Sequence, residues 1–356
     1  MVEAKESYFD LTTGDQLQIL SAVAPELGVT NAILEKDIWL CLVLEQLFTL
    51  PSVKPMTFKG GTSLSKVYRA IERFSEDIDI TLDWRALHAN PPSKEALAAF
   101  SGGQTDKLVK QINADLEAHI LNVIKPGLEE ALGRVSAAIR VAFETTDKGE
   151  QRDKLRIYYP VAAEKDNYIL QSILIEFGAK NAIEPGELVV ITPDVAAKVP
   201  VVSFPSANVH VLSPQRTFWE KATLIHDECH RPAEKQRANL NRMARHWYDL
   251  ARLAHHSIGT QSLANVGLLK HVLGVKTRFY KYGFSRYDLC TNGNFRLIPD
   301  EPMLKALRED YAGMVDSKMF YGDVLNFDEV LTRLDVLQGQ INQACLAVME
   351  QPQTSE

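Results

Sequence analysis

The sequence predicts a mixed α/β fold, a core sheet flanked by helices, followed by a mostly helical C-terminal half. Three observations carry this. Residues 56–82 read as strand, Gly60-Gly61 turn, helix, then a strand bearing Asp77 and Asp79. Two further runs, Leu155–Val161 and Tyr168–Phe177, are rich in Ile and Leu at strand length. From Ser213 onward, apolar residues recur at helical spacing with only short breaks.

Residues 14–50 alternate polar and apolar at helical spacing, giving two helices separated near Gly28-Val29-Thr30, with Trp39 in the core. Pro51 to Pro55 breaks the second helix. Met56 to Phe58 then ends a strand and Thr62 to Ala70 forms a helix. The two glycines sit between, where a missing Cβ lets backbone N–H groups close on a phosphate. Ile78, Ile80 and Leu82 alternate with Asp77, Asp79 and Thr81, so both aspartates share one face with Cα atoms roughly 6–7 Å apart. At that distance two carboxylates repel by about 2–3 kcal/mol at an effective dielectric of 20. A hard divalent cation turns that repulsion into attraction, and Mg²⁺ bridging carboxylates to substrate phosphates is a common use of such a pair.

Residues 85–105 read as an excursion, and Asp106 to Leu132 as a long helix. The strand 168–177 carries one acid, Glu176, which needs a metal or a cation unless it lies at an exposed strand end. Grouped with Asp77 and Asp79 it makes three carboxylates, the number expected of a two-metal site. Gly178 to Pro205 is irregular and proline-bearing, which divides the chain into a core domain (1–205, with its N-terminal helices) and a helical domain (206–356). Ser213-Pro214 announces a helix to about Cys229, Ser as cap and Pro at the first position, with Lys221 beside its apolar stripe. A second helix, from about Lys235 to His255, buries Leu240, Met243, Trp247 and Leu250. Its polar stripe is Arg242, Arg245, Asp249 and Arg252, so Asp249 is either salt-bridged to Arg245 and Arg252 or is an acid or base held by them. The last helix spans Phe327 to about Met349.

The chain has 356 residues, 46% hydrophobic and 24% charged, a globular composition. Its net charge of −7 excludes a protein that coats nucleic acid indiscriminately. No window holds eighteen unbroken apolar residues and the N-terminus does not read as a signal peptide, so a cytoplasmic location without membrane contact is expected. Four scattered cysteines read as reduced and structural. His226-x-x-Cys229-His230 lacks a second ligand pair and reads as a polar helix end rather than a zinc site. Between His230 and His256, six Lys/Arg stand against two acids, either a phosphate-holding patch or a solvated helix face.

The ordered set of strand, Gly-Gly-Thr, helix and Asp-x-Asp resembles the DNA polymerase β-like nucleotidyltransferase superfamily, implying a core sheet of that type. The match narrows with Glu35-Lys36-Asp37, Lys59-Gly60-Gly61-Thr62-Ser63-Leu64-Ser65-Lys66 and Arg73-Phe74-Ser75-Glu76-Asp77-Ile78-Asp79. Ile175-Glu176-Phe177, Arg216-Thr217-Phe218-Trp219-Glu220-Lys221, Arg245-His246-Trp247-Tyr248-Asp249-Leu250 and Asp310-Tyr311-x-x-Met314 extend it. Over roughly residues 30 to 345 the chain is similar to the AbiEii/AbiGii toxins, nucleotidyltransferase-like toxins of abortive-infection and toxin–antitoxin systems.

That resemblance implies that Gly60, Gly61, Thr62 and Ser63 lie on the nucleotide and that Asp77 and Asp79 bind Mg²⁺, with Glu176 as the third carboxylate where the superfamily often has Asp. It implies that Lys221 and Asp249 are needed for toxicity: Lys221 as a point charge on the triphosphate, Asp249 either orienting Lys221 or accepting a proton from the attacking hydroxyl. Ser75 donates to a phosphate in this reading, and Lys66 either reaches the triphosphate or lies on the surface. The helical half is expected to complete the active-site cleft. The expected reaction moves an NMP from an NTP to an acceptor hydroxyl, with the 3′ end of tRNA as acceptor, a cognate antitoxin as partner and phage defence as one role. Transfer to a protein side chain, or NTP binding without catalysis, are the alternatives.

Overall fold

The computed structural model describes residues 5–164, 170–235, 240, 242–280, 282–317, 319–322 and 324–350. The chain divides into two compact units, Met1–Val67 with Ser75–Leu212, and Tyr68–Phe74 with Ser213–Glu356. The first unit thus runs to Leu212, against the division expected at 205–206.

Among the described residues the first unit holds nine strands: β1 (Glu6–Ser7), β2 (Met56–Lys59), β3 (Asp77–Leu82), β4 (Arg140–Thr146), β5 (Gly149–Tyr158), β6 (Ser172–Gly178), β7 (Gly186–Ile191), β8 (Val202–Ser203) and β9 (Ala207–Leu212). Seven form one mixed sheet in the order β4-β5-β6-β3-β2-β9-β7, and β1 pairs with β8. At the centre, β3 runs antiparallel to β2 and parallel to β6. One face of these strands is apolar: Phe58, Ile78, Ile80, Leu155, Ile157, Ile173 and Ile175 are fully or almost fully buried. Each such side chain contributes about 1.5–3 kcal/mol of burial, which fixes the register, because a one-residue slip would turn the isoleucines outward. The opposite face therefore receives the alternate residues, and these include the charged ones.

The two N-terminal helices are Thr13–Leu27 and Asn31–Thr49, parted at Gly28, whose φ of 66° is the left-handed conformation that ends a helix. The long helix begins at Gly102 rather than Asp106, because Ser101 and Gln104 form a capping box. It reaches His119, passes through a π-helical turn at Ile120–Ile124 and continues as Lys125–Val135. Two short helices, Trp84–Leu87 and Lys94–Ala98, occupy the excursion before it. The stretch expected to be irregular, 178–205, contributes β7 and β8, and β7 joins the main sheet through β9. The expected strand 155–161 is shifted to Gly149–Tyr158. That at 168–177 is Ser172–Gly178, its first two residues lying outside the described residues.

The second unit is helical: Pro214–Cys229, Ala244–His255, Ser257–Leu263, Val266–Phe279, Glu301–Asp316 and Phe327–Glu350. Ser213 accepts from the Arg216 N–H and Pro214 sits in the first turn, as the sequence led one to expect. The next helix starts at Ala244, not Lys235. Arg242 adopts a φ of 62°, and the Asp310 carboxylate accepts from the N–H groups of Arg242 and Ala244, both at 2.7 Å, so the helix is capped from a distant segment. Residues 236–239 and 241 lie outside the described residues. Trp219, Trp247, Tyr248, Leu250, Val330 and Leu334 fill the core of this unit.

Candidate active site

In the first unit the site begins where β2 meets the helix Gly60–Lys66 with no intervening loop. Gly60 has a φ of 82°, and a Cβ there would fall on the Asp79 carboxylate, 2.7 Å from its Cγ. Only glycine fits both the turn and this approach. Thr62 Oγ1 donates to the Asp77 carbonyl at 2.5 Å and exchanges a hydrogen bond with Ser75 Oγ at 3.0 Å. Ser63 Oγ donates to the Gly60 carbonyl at 3.0 Å. The buried Thr62 hydroxyl thus holds the turn against β3, and the buried Ser63 hydroxyl ties the turn to itself.

Strand register sets the rest. Lys59 lies opposite Asp79, Asp79 opposite Glu176, and Glu176 opposite Lys154, so the four stand in one row across the polar face. Asp77 is on the same face, one pleat along. Glu176 is therefore beside Asp79 as the three-carboxylate reading requires, but its carboxylate is ion-paired with Lys154. Among the described residues no group of three His, Cys, Asp or Glu side chains is close enough to hold a metal ion. Burial works to lower the Lys154 pKa, and its bond to Glu176, helped by the charges of Asp153 and Asp77, raises it overall. Arg156, on the same face, holds Glu144 through two hydrogen bonds and also feels Asp77.

Lys66 does not belong to this face. Its side chain is 7% exposed and its ammonium bonds Asp37 at 2.6 Å and Asp194 at 2.8 Å. The helix that begins at the glycine turn ends at Lys66, and the lysine stem carries its charge to this half-buried acid pair. In this structure the Lys66 charge is taken up by these two carboxylates.

In the second unit, Asp249 is gripped from two sides. Arg73 Nε donates to Oδ1 at 2.6 Å and Arg73 Nη2 to Oδ2 at 2.8 Å, while Lys221 Nζ donates to Oδ2 at 2.8 Å. Side-chain exposures of 3% for Arg73, 10% for Lys221 and 0% for Asp249 put the cluster out of water. Burial drives the Asp249 pKa upward, but the Arg73 and Lys221 charges overcome it and hold the carboxyl far below the usual carboxylate range. Burial also pulls the Lys221 pKa down, with Asp249 opposing and Arg73 adding to the effect. The expected helix-face partners are not the ones used: Arg252 pairs with Glu72 instead. Asp249 and Lys221 are joined by a direct bond.

A family model describing the nucleotidyl transferase AbiEii toxin of type IV toxin–antitoxin systems matches residues 42–333. The chain belongs to the AbiEii toxin family. It is accordingly a nucleotidyltransferase of the toxin–antitoxin kind, which implies an NTP substrate and an antitoxin partner. Among solved structures, the AbiEii-family chain is similar to MenT4, the nucleotidyltransferase toxin Rv2826c from Mycobacterium tuberculosis H37Rv, at 17% identity, 95% of this chain and 99% of that chain, with a TM-score of 0.42. That likeness is too slight to carry an argument. No curated protein matches the chain significantly.

Two features of the AbiEii-family chain lie away from this chemistry. No described helix is long and apolar enough to cross a membrane. His226 is a core residue: its Nδ1 accepts from the Arg296 N–H at 2.9 Å, its Nε2 donates to the Arg286 carbonyl at 3.0 Å, and His230 bonds the His226 carbonyl. Burial pulls its pKa down to about 4, against the pull of the Arg286 carbonyl. An unfolded histidine titrates near 6.5, so between these values the unfolded chain binds more protons and stability falls as the pH drops. We expect the wild type to lose about 2 kcal/mol of unfolding free energy between about pH 7 and pH 5 from this group. Urea titrations of wild type and His226→Gln check this; an equally steep pH dependence in the variant would refute it.

Nothing in the sequence marks Arg73 as the partner of Asp249, or Lys154 as the partner of Glu176. Arg73 stands four residues before Asp77, yet no local spacing connects it to a residue 176 positions away.

Proposed function

We propose that this toxin transfers an NMP from an NTP to the 3′-terminal hydroxyl of tRNA in a Mg²⁺-dependent reaction, acting in the cytoplasm to stop translation, with phage defence as its use and the antitoxin as its check. The observation that carries the reading is the placement of Asp77 and Asp79 on one sheet face, with the Gly60 turn packed directly on the Asp79 carboxylate. Hard oxygen donors of this kind suit Mg²⁺, and no softer ligand shares their row. Asp77 and Asp79, with Glu176 beside them, would hold the ion, which when bound polarises the phosphate and activates the acceptor oxygen.

The chain's own residues do the rest. Backbone N–H groups at the start of the helix Gly60–Lys66 receive phosphate oxygens, where Gly60 and Gly61 have no Cβ to stand in the way. Ser75, bonded to Thr62, offers a hydroxyl next to this turn. The Lys221 ammonium neutralises charge on the departing pyrophosphate. An RNA acceptor is supported by the family resemblance, in which tRNA ends are targets for some members.

The test is incubation of the full chain with each α-labelled NTP, Mg²⁺ and a whole-cell extract. Label is expected in a tRNA-sized band that ribonuclease removes and protease does not, abolished by chelation and restored by added Mg²⁺. Label that protease removes would move the acceptor to protein. No label with any NTP would overturn the transferase reading.

A further inference from the structure

The Arg73–Asp249–Lys221 cluster is unusual in its charge. Two cations and one anion are taken out of water together, leaving a surplus of one positive charge. Buried ion pairs are poor contributors to stability, because desolvation offsets their attraction, and an unbalanced set is worse. Such a cluster is tolerable where an anion arrives to complete it. Asp249 cannot be that variable partner. Its two oxygens already accept three charged hydrogen bonds, and it has no exposed surface. One of the donors is a guanidinium, which keeps its proton at any working pH.

Arg73 is itself fixed from several sides. Its Nη1 donates to the Phe74 carbonyl at 3.0 Å, and its backbone bridges to Phe320. The Phe74 N–H donates to the Met319 carbonyl at 2.7 Å, and the Glu72 carbonyl accepts from the Tyr321 N–H and the Tyr248 hydroxyl. The guanidinium fork is therefore delivered at a set angle, and a bidentate fork fixes the plane of the carboxylate that it holds. With that plane fixed, the Asp249 Oδ2 aims the Lys221 ammonium, and Asp249 is the only described side chain that Lys221 bonds.

We propose that Arg73 is a positioning residue of the transfer reaction, and that Asp249, locked by it, is a fixed anion that orients Lys221 rather than the base that takes the proton of the acceptor hydroxyl. This rests on the reading above, that Lys221 acts on the triphosphate of an NTP.

A double-mutant cycle separates the two roles of Asp249. Full-length Arg73→Gln, Asp249→Asn and Lys221→Ala proteins, and the doubles with Lys221→Ala, are assayed with α-labelled NTP and total tRNA for kcat and KM, with thermal melts alongside. Each single substitution is expected to lower kcat about 100-fold with little change in KM. Neither Arg73→Gln nor Asp249→Asn should cost a further twofold once Lys221 is alanine, because residues acting as a unit do not add. Losses that multiply in the doubles, towards about 10⁴-fold, would overturn the proposal and make Asp249 an independent group. If Arg73→Gln fails to fold, Arg73→Lys carries the test: it keeps the charge but not the fork, and a wild-type kcat in that variant would overturn the positioning role. Wild-type protein idle with every NTP would overturn the transferase reading and this inference with it. An active wild type with multiplying losses overturns this inference alone.

Discussion

Asp77→Asn is expected to lower NMP transfer on the order of 10³-fold and to abolish toxicity, while the fold survives. The side chain is isosteric, so shape and packing are kept and only charge is lost. What holds this strand in place is independent of that charge. The Thr62 hydroxyl grips the Asp77 backbone carbonyl, and the Ile78 and Ile80 side chains are sunk in the apolar face. Asp77 also draws on Lys154 and Arg156, but each of these has its own carboxylate, Glu176 and Glu144, and stays paired. The melting temperature should therefore stay within a few degrees of wild type, which corresponds to about 1 kcal/mol or less. Asp79→Asn should behave alike. An Asp77→Asn protein that still stops growth when expressed, at wild-type abundance, would sink the catalytic assignment of this face.

Gly60→Ala is expected to lower transfer by about 100-fold, for a reason that is steric and not chemical. The new methyl meets the Asp79 carboxylate, 2.7 Å from its Cγ, and the φ of 82° adds roughly 1–2 kcal/mol of backbone strain for a residue with a Cβ. Either the turn opens or the carboxylate swings aside, and a misplacement of about 1 Å is enough for a loss of this size. Gly103→Ala is the matched control. It lies in the first turn of the helix Gly102–His119 with nothing within 4 Å of an added Cβ, so it should leave transfer unchanged. Equal behaviour of the two alanine variants in the transfer assay would remove the glycine turn from the mechanism.

What the sequence made legible is what depends on neighbours in the chain. The glycine turn, the two-residue alternation from Asp77 to Leu82, the break at Gly28 and the Ser213-Pro214 helix start are all local devices, and each is present. Long-range pairings were not legible. The apolar strand around Glu176 marks it as an acid in need of a partner, but Lys154 as that partner follows only from the register of β5 on β6. Lys66 looked equally suited to a phosphate or to solvent; its burial between Asp37 and Asp194 depends on elements well over a hundred residues apart. The helix expected from Lys235 starts at Ala244 because Asp310 supplies its cap. Strands β4, β7 and β9 escaped notice because β4 and β7 lie at the sheet's edges and carry exposed polar or apolar residues without clean alternation, and β9 is a single short run.

The short segment Tyr68–Phe74 belongs with the helical unit although the chain on both sides of it belongs with the sheet. The polypeptide accordingly passes from one unit to the other three times, and no single cut yields two self-sufficient halves. A fragment of residues 213–356 would carry Asp249 and Lys221 but lack the guanidinium that holds them. The same constraint reaches into heredity. A recombinant toxin spliced from two parents after residue 212 takes Arg73 from one and Asp249 from the other, so gene shuffling at the most obvious seam separates partners that meet in the fold.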